Sequence, residues 1–174
     1  VWTGEELGRL GSAAFADKLS VGDDGLAEHV LAYLNLDMVG RLDEALTIQG
    51  VGSSSAWRAE IERRNVPIGL PIKLQDDAYL PTDTTSFYLA GVPILTFFTG
   101  VHADYNTSRD TADRLNYEGL TRIAHFAGLL TRAVANREDA PDYVAQEKPS
   151  TGASRANLRA YLGTIPAYAE SDVQ

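Results

Sequence analysis

Two spacings of apolar residues alternate along this chain, and the switch between them lays out an α/β protein. Residues 29–39 hold a nearly unbroken run, Val30, Leu31, Ala32, Leu34, Leu36, Met38 and Val39. Such a run predicts a strand buried on both faces. A second run, residues 92–98, starts with Pro93 and reads the same way. Ala45-Leu46-Thr47-Ile48-Gln49, closed by Gly50 and Gly52, and Ile72-Lys73-Leu74 after Pro71 predict two shorter strands. Between these lie stretches at helical spacing. Leu7, Leu10, Ala14 and Phe15 predict a helix running to about Leu19, directly after Glu5-Glu6. Ser53, Ser54 and Ser55 supply a cap for a helix carrying Trp57 and Ile61 to about Asn65. Residues 84–90 read as a short helix ended by Gly91, with Thr84 in the capping position. Residues 116–136 carry Leu120, Ile123, Ala124, Ala127, Leu129, Leu130 and Val134 along one side of a long helix. The alternation predicts a three-layer α/β/α domain around a mixed, mostly parallel sheet.

Beyond Arg137 the pattern dissolves into Glu, Asp, Pro, Ser and Gly. That composition predicts a domain over residues 1–137, a linker over residues 138–156, and no fixed packing past about Ala140. Within residues 157–174, Leu158-Arg159-Ala160-Tyr161-Leu162-Gly163-Thr164-Ile165-Pro166 is strand-like and without a partner.

A chain of 174 residues with 44% hydrophobic and 22% charged residues can bury a real core. No apolar run approaches the roughly 20 residues that a membrane-spanning helix needs. The formal charge of −9 and the scatter of the 15 basic residues argue against a nucleic-acid surface. With no cysteine, the chain can hold a metal only through oxygen and imidazole ligands. Composition fixes no compartment. The sequence opens at Val1 in what reads as a strand end, without an initiator methionine, so a longer parent protein is expected.

Chemistry gathers where strands stop. Gly4-Glu5-Glu6 follows the opening strand-like residues, Asp37 ends one apolar run, and Phe97-Phe98-Thr99-Gly100-Val101-His102-Ala103-Asp104-Tyr105-Asn106-Thr107-Ser108-Arg109-Asp110-Thr111 ends another in a polar cluster. The carboxyl ends of strands are where open α/β sheets bind ligands. A carboxylate pair there has two separable jobs, holding a divalent cation and taking a proton from water. The bland alternative is acidic decoration of a helix N-terminus, worth roughly 0.3–1 kcal/mol. His29 and His125, one at a strand start and one inside a helix, read as packed or surface imidazoles. Asp76-Asp77-Ala78-Tyr79-Leu80-Pro81-Thr82-Asp83 is a polar loop long enough to reach a site.

The order and spacing of these three motifs resemble the co-catalytic zinc exopeptidases, the family of bacterial leucyl aminopeptidases, glutamate carboxypeptidases and glutaminyl cyclases. The resemblance covers residues 1–137 and implies the C-terminal portion of such a domain, a peptide or aminoacyl substrate and a pair of zinc ions. It implies Glu5 as general base, Glu6 and Asp37 as zinc ligands, and Tyr105 as a donor to the oxyanion. The family's first histidine ligand and its bridging aspartate would come from upstream of Val1. Two positions depart from the pattern. Asn106 stands where the family has a zinc-binding histidine, and an amide is a much poorer zinc ligand than imidazole. Thr84 stands where relatives usually carry histidine. His102, four residues before Asn106, is either a substitute ligand or a neighbour of the substrate. One zinc or none is therefore expected here, against two in the family. The resemblance also points to a periplasmic or secreted location, and residues 157–174 resemble the first strand of a PDZ domain. Three functions stay open: a zinc aminopeptidase, a non-catalytic relative serving as a binding or scaffold module, and a single-zinc enzyme like the glutaminyl cyclases.

Overall fold

The computed structural model describes residues 2–20 and 25–148. Its elements run α1 (Leu10–Leu19), β1 (Tyr33–Leu36), β2 (Leu46–Gln49), α2 (Trp57–Asn65), β3 (Ile72–Leu74), α3 (Thr84–Leu89), β4 (Ile94–Phe98) and α4 (Tyr117–Ala135). The four strands form one open sheet in the order β1-β4-β2-β3. β1 lies parallel to β4 and β2 parallel to β3, while β2 meets β4 antiparallel.

Side chains alternate across this sheet, and β1 and β4 feed a core on each face while β2 and β3 feed one. Leu95 and Phe97 of β4 join Leu46 and Ile48 of β2 under α2 and α4, where Trp57, Ile61, Ile123, Phe126 and Leu130 close the layer. Ile94 points the other way and packs with Ala16 of α1 and Phe87 and Tyr88 of α3. Tyr33 of β1 stacks on Phe87 at 3.9 Å between ring centroids. The result is the expected three-layer arrangement. β4, central and buried at all five positions, matches its reading as a doubly covered strand. α4 also keeps its predicted limits, with the Asn116 side chain accepting from the Gly119 amide at 2.9 Å, a cap worth about 1 kcal/mol.

Three expectations change. The run at residues 29–39 yields only the four residues of β1, and Leu36 is 45% exposed because, among the described residues, β1 pairs on one side alone, with β4. The first helix starts at Leu10 rather than at the acidic pair, since Gly4 and Gly8 adopt positive φ (69° and 110°) and turn the chain before it. Leu7 and Leu10 consequently lie in solvent, and the buried positions of α1 are Ser12 and Ala16. Gly11 lies close against the backbone of Thr3, which a Cβ would strike at 2.7 Å.

The third change concerns the C-terminal segment. Residues 141–146 are held against the domain: the Val144 amide donates to the Ser53 carbonyl at 2.8 Å, and the Gln146 amide donates to the Tyr88 hydroxyl at 2.7 Å. Asp142 receives the Ser54 and Ser55 hydroxyls at 2.8 and 2.9 Å and the Ser55 amide at 3.2 Å. Composition missed this because the anchors are hydrogen bonds and a buried Pro141 rather than an apolar stripe. The rest of the expected linker and the PDZ-like piece at residues 157–174 lie outside the described residues.

Candidate functional site

Because β1 and β4 run parallel, their carboxyl ends open on the same edge of the sheet. β1 delivers Asp37, whose amide donates to the Phe97 carbonyl at 3.0 Å. The next residue, Met38, sits at φ 50°, a left-handed conformation strained for an unbranched apolar side chain by about 1–2 kcal/mol. The Thr99 hydroxyl donates to the Met38 carbonyl and so helps hold that turn from the end of β4.

Glu5 and Glu6, in the turn ahead of α1, share this edge with Asp37 and with Asp83 from the loop before α3. The four carboxylates act on one another through space. Glu5 has its pKa raised, first by burial and then by repulsion from Glu6, Asp83 and Asp37, with Arg9 offsetting part of it. Asp37 is raised too, again first by desolvation, with Glu6 and Asp83 adding to it against a backbone hydrogen bond at Met38. Its surface is open to solvent, but the protein packed around it still displaces enough water to favour the neutral form. Asp83 is fixed by the Ser12 hydroxyl, which donates to its Oδ1 at 2.5 Å. Tyr33, next to these acids, accepts from the Trp2 indole at 3.0 Å, and its phenol is raised by burial ahead of Asp83 and Asp37.

The loop after β4 builds the adjoining wall. Tyr105, His102 and Asn106 line one cleft of about 190 Å³ together with Met38, Gly40, Arg41, Asp110 and Leu115. Met38 joins this cleft to the acids beside it. Arg41 organises the loop, with Nη2 at 2.5 Å from Asp110 and 3.6 Å from Asp104. His102 Nε2 lies 3.7 Å from Asp110, and its ring meets Tyr105 edge-on at 6.5 Å. Among the described residues, the buried side-chain nitrogens without a hydrogen-bond partner are His102 Nδ1 and Arg41 Nε. Asn106 adopts φ 55°, which asparagine tolerates better than most residues.

The structure thus gathers the sequence-nominated residues into two adjoining sets, Glu5, Glu6 and Asp37 in one and His102, Tyr105 and Asn106 in the other. Thr84 belongs to neither. It is fully buried, with its hydroxyl 2.9 Å from that of Thr96 and receiving that of Thr82 at 2.8 Å. Its role is packing at the start of α3, where the preceding Asp83 occupies the cap position. His125 is exposed on α4 and His29 follows a short 3₁₀ turn, both away from this edge. Sequence reading passed over Arg41 and Asp104 and recorded Asp83 only as part of a loop. The tripeptide Gly40-Arg41-Leu42, beginning three residues after the strand-end Asp37, was the available signal for Arg41.

Among the described residues no group of three or more His, Asp or Glu is placed to hold a metal ion. Glu6 and Asp37 are therefore at most a partial donor set, though one whose unneutralised charge suits a cation.

Comparisons with known proteins agree with this fold. A model of peptidase family M28 matches residues 1–131. No curated protein sequence matches the chain. Among solved structures, an aminopeptidase from Aneurinibacillus sp. strain AM-1 superposes with TM-score 0.62 at 23% identity, over 82% of this chain and 33% of that one. BSAP, a zinc aminopeptidase from Bacillus subtilis, gives TM-score 0.62 at 24% identity, over 85% and 38%. The LapA aminopeptidase of Legionella pneumophila gives 0.62 at 20%, over 79% and 38%. The chain spans 33–38% of the length of these relatives. With the family model covering three quarters of its residues, motifs and cleft included, the chain belongs to peptidase family M28.

Proposed function

We propose that this chain supplies the C-terminal part of the active site of a zinc-dependent aminopeptidase acting on peptide or aminoacyl substrates outside the cytoplasm. The observation that carries the reading is the meeting of Glu5, Glu6 and Asp37 at one sheet edge, where among the described residues Arg9 is the cation that offsets the charge on Glu5. Like charges left together in this way favour a bound cation. Glu6 and Asp37 would hold the metal, with the remaining donors coming from outside this chain. Bound zinc supplies Lewis acidity, lowering the pKa of a water and polarising the scissile carbonyl.

This chain's residues do the rest. Glu5, with its pKa pushed up by burial and its acidic neighbours, is a stronger base than a free carboxylate and is suited to take a proton from water and return it to the leaving amine. Tyr105 lines the adjoining cleft, where a hydroxyl donor stabilises an oxyanion. The strained Met38 and the Arg41 ion pairs hold the two walls in place.

A second reading follows from Asn106. An amide in the cleft position where relatives carry a zinc-binding histidine weakens one metal site. It favours a protein with one tightly held zinc, either a non-catalytic binding module or a single-zinc enzyme of the glutaminyl-cyclase kind. Zinc stoichiometry of the full-length protein after exhaustive dialysis, with activity on aminoacyl substrates, separates these. Two zincs and full activity support the aminopeptidase, one zinc with cyclase activity the third reading, and no hydrolysis or cyclisation the binding module.

A further inference from the structure

The loop that delivers Asp83 is held in place by the far end of the chain. Residues 75–83 form no helix or strand, yet Ala78 and Leu80 are buried. Their backbone groups therefore need partners. The segment after β2 provides some, with the Gly50, Val51 and Gly52 amides donating to Asp77, Gln75 and Asp76. Gln146 adds two more. Its Nε2 donates to the Asp76 carbonyl at 2.7 Å, and its Oε1 accepts from the Ala78 amide at 2.9 Å. One side-chain amide thus satisfies a carbonyl and an N–H two residues apart, as a neighbouring strand would.

The same segment grips the other side of Asp83. Tyr88, in α3, donates its hydroxyl to the Val144 carbonyl at 3.1 Å and receives the Gln146 amide at 2.7 Å. The Tyr79 hydroxyl donates to the Gln146 carbonyl at 3.2 Å. The Tyr79 and Tyr143 rings both pack on Tyr88 at 5.3 Å. A Cβ on Gly52 would collide with the Gln146 amide, so a glycine leaves the room this contact needs. Asp83 is bracketed, with Gln146 holding the loop before it and the helix after it.

We propose that Gln146 is a positioning residue for the catalytic edge: it fixes the loop that sets Asp83, and through Asp83 the surroundings of Glu5 and the start of α1. The role of Asp83 in catalysis rests on the peptidase reading; the grip on the loop does not. Glutamine suits the position because it donates and accepts at once. Glutamate keeps only the acceptor and adds charge beside Asp76 and Asp77, and alanine leaves the buried Ala78 amide without that partner.

The test uses the full-length protein as wild type, Gln146→Ala, Gln146→Glu and Tyr88→Phe, the last removing the other anchor while keeping the ring. Two quantities are measured, amide hydrogen exchange over residues 76–83 and over α4, and kcat and KM on an aminoacyl substrate. Gln146→Ala should speed exchange in residues 76–83 about tenfold with α4 unchanged, and lower kcat about tenfold with KM within about twofold. Gln146→Glu should fall between it and wild type, and Tyr88→Phe should shift both readouts in the same direction. Unchanged exchange in residues 76–83, a uniform rise that includes α4, or faster exchange with unaltered kcat would each overturn the proposal. A wild-type protein without peptidase activity would sink the peptidase reading, and the exchange comparison would then decide by itself whether Gln146 holds the loop.

Discussion

Acidic charge in this molecule is treated in opposite ways at two places. Glu60, on α2, has a side chain only 8% exposed and lies among three arginines, Arg63 at 3.1 Å, Arg64 at 3.3 Å and Arg137 at 3.2 Å. At the sheet edge four carboxylates meet with Arg9 as the one cation that eases Glu5. The first arrangement ties the end of α4 to α2 and uses up its charge internally. The second leaves charge unpaired, which costs stability and is retained where a site needs a general base or must receive a cation. Carboxylate counts therefore do not locate a site; the neutralisation of each carboxylate does.

The contrast is tested most sharply at Glu5. Glu5→Gln in the full-length protein should lower turnover by on the order of a hundredfold or more, with zinc content unchanged. Loss of metal instead would make Glu5 a ligand. At the other place, Glu60→Ala strands three guanidiniums together. It should cost about 2–3 kcal/mol, below the usual loss for a broken buried pair because the arginines stay partly in solvent, and leave zinc binding alone. Urea unfolding with a metal assay checks both halves.

Asn106→His should tighten the weaker zinc site about tenfold or more, since imidazole replaces an amide and histidine also tolerates the left-handed backbone there. Zinc competition against a chelator dye measures it, and unchanged affinity would point to His102 or a water as the ligand in use. The next effect is smaller and concerns pH. Glu5 and Asp37 are raised above the ordinary values of 4.5 and 3.8, so between those values and their folded pKa the native state holds more protons than the unfolded one. Their contribution to stability is full below those values and is lost as pH rises through the folded pKa. In metal-free protein the urea midpoint should therefore fall as pH is raised from about 4 toward neutral. Asp37→Asn should flatten that dependence. Asp142 opposes it at the acid end: its carboxyl is held low chiefly by the Ser54 and Ser55 hydroxyls, so its stabilisation is lost as pH drops below 3.8. The smallest effect belongs to the exposed pair of Arg58 and Asp76, where Arg58→Ala should change stability by less than about 0.5 kcal/mol.

Much of the fold was legible in the pattern of residues. The limits of β3, β4 and α4 follow directly from spacing, caps and turn residues; α2 ends where spacing places it, but its N-cap is Ala56 with no side-chain cap, because the Ser54 and Ser55 hydroxyls are turned to Asp142 instead. β1 was read too long and too buried, because an apolar run reports what a strand can cover and not how many partners it has. At the site, strand-end position drew attention to Glu5, Glu6, Asp37 and the polar cluster after β4, and the family resemblance singled out His102, Tyr105 and Asn106 within that cluster and gave all six their expected roles. Arg41, Asp83 and Gln146 were not singled out, since each acts through partners distant in the chain: Asp110, Ser12 and Ala78 are 69, 71 and 68 residues away.

The sequence by itself determined the alternation of strands and helices, the limits of the central elements and the kinds of donor at the edge, because hydrophobic period and residue chemistry are local properties. Only the tertiary structure decided that Thr84 faces a hydroxyl of β4 rather than the site, that residues 141–146 belong to the domain, and that the carboxylates of Glu5 and Asp37 share a field. Those outcomes depend on which surfaces meet and which charges go unneutralised, and both are fixed by contacts that join distant parts of the chain.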